Sequence, residues 1–115
     1  MTLETRRGEI WLVDWNPSRG SEQAGVRPAL VVQNDIGNRC STTTIVAAVS
    51  TRKGKAYPFQ VPMEPPEGGL SAESIIKLDQ VMTVATERLV RKLGSVGRTT
   101  MARVDEALRW SLSLG

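Results

Sequence analysis

One stretch near the start of the chain leaves little freedom in how it can fold. From Gly8 to Trp15 the residues Ile10 and Leu12 alternate with Trp11, Val13 and Trp15. Side chains of an extended segment point to opposite faces in turn, so both faces of this strand are apolar. Such a strand is buried on both sides or sits in a curled sheet. With 115 residues the chain is long enough to close one core and too short for two, so a single domain spanning 1–115 is expected.

The rest of the sequence supplies covering elements. Asn16-Pro17-Ser18-Arg19-Gly20 is dense in turn formers, and the segment to Pro28 leads into a second strand, Ala29-Leu30-Val31-Val32. Asn34 to Asn38 reads as a turn, and Thr42 to Val49 as a third, mostly buried strand that carries Ser50 and Thr51 at its far end. After the basic connection Arg52-Lys53-Gly54-Lys55, a short strand at Tyr57–Val61 contains Pro58, which suits a sheet edge. Met63 to Gly69 is a loop. Two more strands are expected at Ser74–Leu78 and Gln80–Val84, with Asp79 as a bend or bulge between them. Helical spacing then predicts a short helical turn from Thr86 through Leu89, Val90 and Leu93, stopped by Gly94. A longer helix carries Met101, Val104, Leu108 and Leu112, with Thr99 or Thr100 as its N-cap. Short strands followed by a helix predict the α+β class: a small, strongly curled β-barrel with a C-terminal helix packed against it.

Composition narrows the function classes. Hydrophobic residues make up 40% and charged residues 23%, an ordinary globular balance. No window approaches the roughly 18 apolar residues of a bilayer span, and the N-terminus lacks an apolar signal core, so a cytoplasmic protein with no membrane partner is expected. The single cysteine, Cys40, makes no internal disulfide, and without histidine a zinc site has few ligands to draw on; neither metal nor cofactor is expected. A net charge of +3 tilts the chain modestly toward an anionic partner.

The segment Gly20-Ser21-Glu22-Gln23-Ala24-Gly25-Val26-Arg27-Pro28 holds two glycines, one glutamate and one arginine between two apolar strands. By itself it is a surface loop in which Glu22 and Arg27 form an ion pair. Its order, continued through Ala29-Leu30-Val31-Val32, resembles the signature loop and second strand of the MazF/PemK family of toxin ribonucleases. The resemblance extends upstream to Arg7-Gly8-Glu9-Ile10-Trp11-Leu12-Val13-Asp14 and downstream through Asn34–Arg39, Tyr57-Pro58-Phe59 and Asp79-Gln80-Val81, nearly the whole chain.

The resemblance implies an SH3-like barrel of the CcdB/PemK type and the toxin half of a type II toxin–antitoxin system. It also implies an mRNA interferase: a metal-independent, sequence-selective endoribonuclease that cuts single-stranded RNA to a 2′,3′-cyclic phosphate and a 5′ hydroxyl. Its implied partners are RNA, a second copy of the chain in a homodimer, and an antitoxin with an acidic, flexible tail. The family's catalytic arginine falls on Arg27, whose planar fork can grip two phosphate oxygens. The family's hydroxyl residue falls on Ser50, with Thr51 as its rival; alternate strand residues face opposite ways, so one of the two reaches the phosphate. Glu22 is a candidate for orienting Arg27 or for taking the 2′ proton, and Gln23 for contacting RNA. Arg52, Lys53 and Lys55 are candidates for phosphate contacts. Among the aromatics, Trp15 beside the first turn is expected to be the more exposed and to stack a base, while Trp11, Tyr57 and Phe59 read as core. A non-catalytic alternative is a gyrase poison on the same barrel, acting through a tryptophan near the C-terminus, here Trp110.

Overall fold

The strand with two apolar faces lies inside the sheet. The structure, a computed structural model, describes residues 4–16 and 25–115. In it β1 (Glu9–Asp14) is flanked by β2 (Val26–Val31) and β6 (Leu89–Ser95), both antiparallel to it. On one face Ile10 is fully buried with Leu30, Ala47, Val49 and Ile76; on the other, Trp11, Val13 and Trp15 pack with Ala29, Val31, Val46 and Leu89. The sheet thus carries a hydrophobic cluster on each side. With β3 (Thr43–Thr51), β4 (Gln60–Met63) and β5 (Ser74–Ala85), the strand order is β4-β5-β3-β2-β1-β6. The C-terminal α2 (Arg98–Leu112) covers the first cluster with Val104 and Ala107.

The α+β class is as expected, but the sheet is not a closed barrel: β4 and β6 are its two edges. In place of strand pairing between them, a 3₁₀ turn at Glu67–Gly69 packs its backbone directly on β6. A Cβ built on Gly69 would lie 2.0 Å from the Leu93 carbonyl oxygen, and one on Gly94 would lie 2.6 Å from the Gly68 carbonyl carbon. The same turn holds α2. Glu67 Oε2 accepts hydrogen bonds from the Gly97 backbone N–H at 2.9 Å and from Thr100 Oγ1 at 2.6 Å, so a distant carboxylate caps the helix.

Four local expectations are corrected. Asn34 to Asn38 does not form a simple turn but opens α1 (Asp35–Cys40), with Asn34 Oδ1 accepting from the Gly37 N–H as an N-cap. Ser74 to Ala85 is one strand rather than two. Asp79 does lie in a bulge: Ala47 faces Val81 and Ala48 faces Lys77, which leaves Leu78, Asp79 and Gln80 unmatched on β3. The predicted helical turn after Thr86 is only a 3₁₀ turn, Thr86–Arg88, and Leu89 to Ser95 is a strand. The outer edge of β1 decides this, because the buried strand needs a partner for its backbone polar groups and β6 supplies it. Gly97, not Thr99 or Thr100, is the N-cap of α2. The edge position predicted for the Tyr57–Val61 region holds for β4, whose third residue is Pro62. Among the described residues no helix is long and apolar enough to cross a membrane.

Two carboxylates tie the N-terminal segment down and give the fold an acid limit. Burial alone would raise the pKa of Glu9, but hydrogen bonds from Trp11 Nε1 and the Arg6 N–H, each 2.9 Å, and the Lys92 ammonium at 2.9 Å outweigh it and hold the group below its ordinary value. Asp35 is lowered first by the Arg7 backbone N–H at 2.7 Å, against slight burial, and then by Asn38. A carboxylate with a lower pKa folded than unfolded binds fewer protons in the native state. Its stabilisation is complete above the unfolded value, about 4, and is lost as pH falls through the folded one. The melting temperature should therefore fall as pH drops below about 4, and Glu9→Gln combined with Asp35→Asn should flatten that limb. An equally steep limb in the double variant would assign it to other groups.

Candidate functional site

The strand ladders assemble one surface from four strands. Ala29 of β2 faces Ala48 of β3, Ala48 faces Lys77 of β5, and Lys77 faces Gln60 of β4. Directly opposed residues share a face of the sheet, and this row lies on the face opposite the one α2 covers, since Ala29 belongs to the second cluster. Two residues further along, Ser50 faces Ile75 and Ile75 faces Pro62. The β2–β3 register, carried on by the same two residues, sets Arg27 opposite Ser50. Both rows open into a cleft of about 820 Å³ lined by Arg27, Ser50, Thr51, Lys53, Lys55 and Lys77, among others.

The strands deliver these groups for local reasons. Pro28 follows Arg27 in β2 and cannot donate to a neighbouring strand, so the β2–β3 ladder ends at Ala29 and the arginine stands at the open end of the pair. Arg27 is exposed, Ser50 half-buried and Thr51 exposed. Thr51 has the parity of Val49, which packs in the cluster under α2, whereas Ser50 has the parity of Ala48 and hence of Arg27. Lys53 and Lys55 flank Gly54, which has φ +73, so the chain reverses there and both lysines line the same cleft.

Electrostatically the cleft is one-sided. Among the described residues Arg27, Lys53, Lys55 and Lys77 line it, no carboxylate does, and none of the four cations holds a salt bridge. Four cations in a shallow cleft, beside a hydroxyl, suit an anionic chain. Arg27 and Ser50 on one face offer a fork of N–H donors and an O–H donor to a single phosphate-sized group.

Not every candidate arrives here. Arg52 is turned into its own loop, with its N–H donating to the Glu73 carbonyl at 3.0 Å and Nε to the Gly54 carbonyl at 3.3 Å, and it does not line the cleft. Trp15 is 8% exposed, a correction to the expectation of an open stacking face. It shares the parity of Trp11 and Val13 and is drawn into their cluster. Tyr57, expected in the core, is 62% exposed and lines the cleft. Glu22 and Gln23 lie outside the described residues. Lys77 and Gln60 were missed; the available signal was a lysine interrupting the apolar run Ile75-Ile76-Lys77-Leu78.

Comparison with known proteins agrees with this architecture. The family model described as PemK-like, MazF-like toxin of type II toxin–antitoxin system matches residues 6–112. Endoribonuclease EndoA of Bacillus subtilis (strain 168) is 44% identical over 110 residues, covering 95% of this chain and 95% of its own. Endoribonuclease MazF9 of Mycobacterium tuberculosis is 42% identical over 114 residues, covering 95% and 97%. Among solved structures, an endoribonuclease in complex with its cognate antitoxin from a mycobacterial species superposes with a TM-score of 0.81 at 25% identity, covering 96% of this chain and 97% of that one. MazF of Deinococcus radiodurans shares the fold with a TM-score of 0.81 at 24% identity, covering 97% and 99%.

Proposed function

Because the chain belongs to the PemK-like, MazF-like toxins of type II toxin–antitoxin systems, we propose that it is an endoribonuclease whose reaction centre is the pair Arg27 and Ser50. The observation that carries this reading is the cleft itself: the two residues share a sheet face, and among the described residues the charged groups lining the cleft are all cations. In the proposed reaction the 2′ oxygen of single-stranded mRNA attacks the adjacent phosphorus as its proton passes to solvent, and the bond to the 5′ oxygen breaks as that oxygen takes a proton from solvent. The products are a 2′,3′-cyclic phosphate and a 5′ hydroxyl, the latter formed when the leaving oxygen takes a proton.

Arg27 holds two phosphate oxygens and meets the charge that builds on the pentacoordinate phosphorus; Ser50 donates to the same group. An arginine with a pKa above about 12 is a poor base at neutral pH, so its part is electrostatic. With this clamp the reaction needs no metal. Glu22 is assigned as the ion-pair partner that orients Arg27, since an unpaired carboxylate beside the phosphate would repel substrate. Lys53, Lys55 and Lys77 hold the strand on either side, and bases held near the cleft give the cut its sequence preference. The working form is a cytoplasmic homodimer, and a cognate antitoxin silences it by laying an acidic, flexible tail over the cations. The mycobacterial relative solved with its antitoxin supports such a partner.

The test is incubation of the purified chain with a long single-stranded RNA in EDTA. Fragments ending in cyclic phosphate are expected. Ser50→Ala should cut about a hundredfold more slowly, and Thr51→Ala should stay close to the parent rate. The reverse order would move the hydroxyl role to Thr51, and intact RNA with gyrase supercoiling blocked would replace the enzyme reading by that of a gyrase poison.

A further inference from the structure

Tyr57 is the largest exposed aromatic surface beside the cleft, and nothing in the reaction just described uses it. Its ring lies parallel to that of Phe59, at 4° between planes and 5.5 Å between centroids, an offset stack. Phe59 is half-buried, so one face of Tyr57 is backed and the other looks outward. The segment is braced. Gln60 Oε1 accepts from the Tyr57 N–H at 3.0 Å, the Gln60 N–H donates to the Tyr57 carbonyl at 2.9 Å, and Pro58 between the two rings fixes its own φ. An exposed ring held in a fixed plane loses little freedom when something settles on it.

We infer that Tyr57, backed by Phe59, is a platform on which the bound RNA strand stacks a base, outside the nucleotides that flank the cut. The inference rests on the ribonuclease reading of the same cleft. Cations interleaved with an aromatic face are what single strands require, since lysines follow the phosphates while the ring takes a base. Here Lys77 is opposed to Gln60 on the row next to the Arg27–Ser50 row, and Lys53 and Lys55 line the same cleft. From β2, which bears Arg27, to β4, which follows Tyr57, the sheet crosses three strand spacings, roughly 14 Å. That span exceeds one nucleotide step, so the stacked base belongs further along the strand. Every base has a flat face, so the platform adds affinity without choosing the cut sequence.

The experiment measures binding of a single-stranded oligonucleotide methylated at every 2′ oxygen, which cannot be cut. Tyr57→Ala and Tyr57→Leu should each weaken binding about tenfold, while Tyr57→Phe should bind as the parent does and all three should melt with it. The salt dependence separates stacking from charge: Lys77→Ala should lower the slope of log affinity against log salt by about 0.7, and Tyr57→Ala should leave it unchanged. The cut sites of Tyr57→Ala on long RNA should match the parent's. Parent-like binding by both Tyr57→Ala and Tyr57→Leu, or a loss in Tyr57→Phe equal to that in Tyr57→Ala, would overturn the platform while leaving the ribonuclease reading intact. A parent chain that neither binds the oligonucleotide nor cuts RNA would overturn both.

Discussion

Arg27→Lys should cut RNA about a thousandfold or more slowly than the parent chain and still melt at the same temperature. The substitution keeps one positive charge in the cleft, so it isolates geometry from charge. A lysine is a point charge with rotating donors and does not reproduce the two parallel N–H bonds a guanidinium makes to one phosphate. Stability should not move, because Arg27 is exposed, and surface substitutions usually stay within about 0.5 kcal/mol. Binding of an uncleavable oligonucleotide should weaken far less than the single-turnover rate, since Lys53, Lys55 and Lys77 still hold the strand. A rate within tenfold of the parent would show that charge alone suffices and would dismiss the two-pronged clamp.

Gly69→Ala should produce a large loss of stability, about 3 kcal/mol or more. The added Cβ would lie 2.0 Å from the Leu93 carbonyl oxygen and 2.6 Å from the Leu93 carbonyl carbon, atoms of the backbone and not of a flexible side chain. Leu93 is the residue that the register shift leaves unmatched on β1, but Lys92 and Gly94 on either side of it both pair with β1 and restrain its carbonyl. Gly69 also has φ +73, which a side chain disfavours by about 1–2 kcal/mol. Gly54→Ala is the control: it has the same φ of +73 but open space around it, so it should show the backbone cost alone. Chemical denaturation of the two variants gives the comparison. Equal losses would mean that the turn moves away from β6 at no cost.

The parts of the fold legible in the sequence were those decided by near neighbours. Period-two spacing identified β1, apolar and β-branched runs bounded by turn formers identified β2 and β3, and the polar Asp79 between apolar runs marked the β5 bulge. The segment Leu89-Val90-Arg91-Lys92-Leu93-Gly94 misled because its apolar spacing and its glycine suit a helix and its stop. What makes it a strand is an unfilled edge some eighty residues earlier, which no window contains. Gly94 serves a close backbone contact instead. Arg27 and the Ser50–Thr51 pair were readable as candidates from the family resemblance, and the register adds which hydroxyl shares the arginine's face. Lys77 and Gln60 were not readable, because their opposition across β4 and β5 exists only once the sheet is assembled. The exchange between Trp15 and Tyr57 has a plain cause. Nearness to a turn suggests exposure, whereas strand parity sends Trp15 inward and the Tyr57–Gln60 turn holds Tyr57 out.

Pro62 on the outer strand β4 bears on how such a chain survives alone. A sheet edge with free N–H groups is a template on which further strands can polymerise. β4 is only four residues long, and Pro62 removes one of its donors. At the other margin, β6 is shielded by the Gly68–Gly69 backbone and carries the exposed charges Arg91 and Lys92. Both margins are therefore poor seeds for fibrils, by two unrelated means. A chain with both margins blunted in this way can reach high concentration as dispersed molecules instead of removing itself by precipitation.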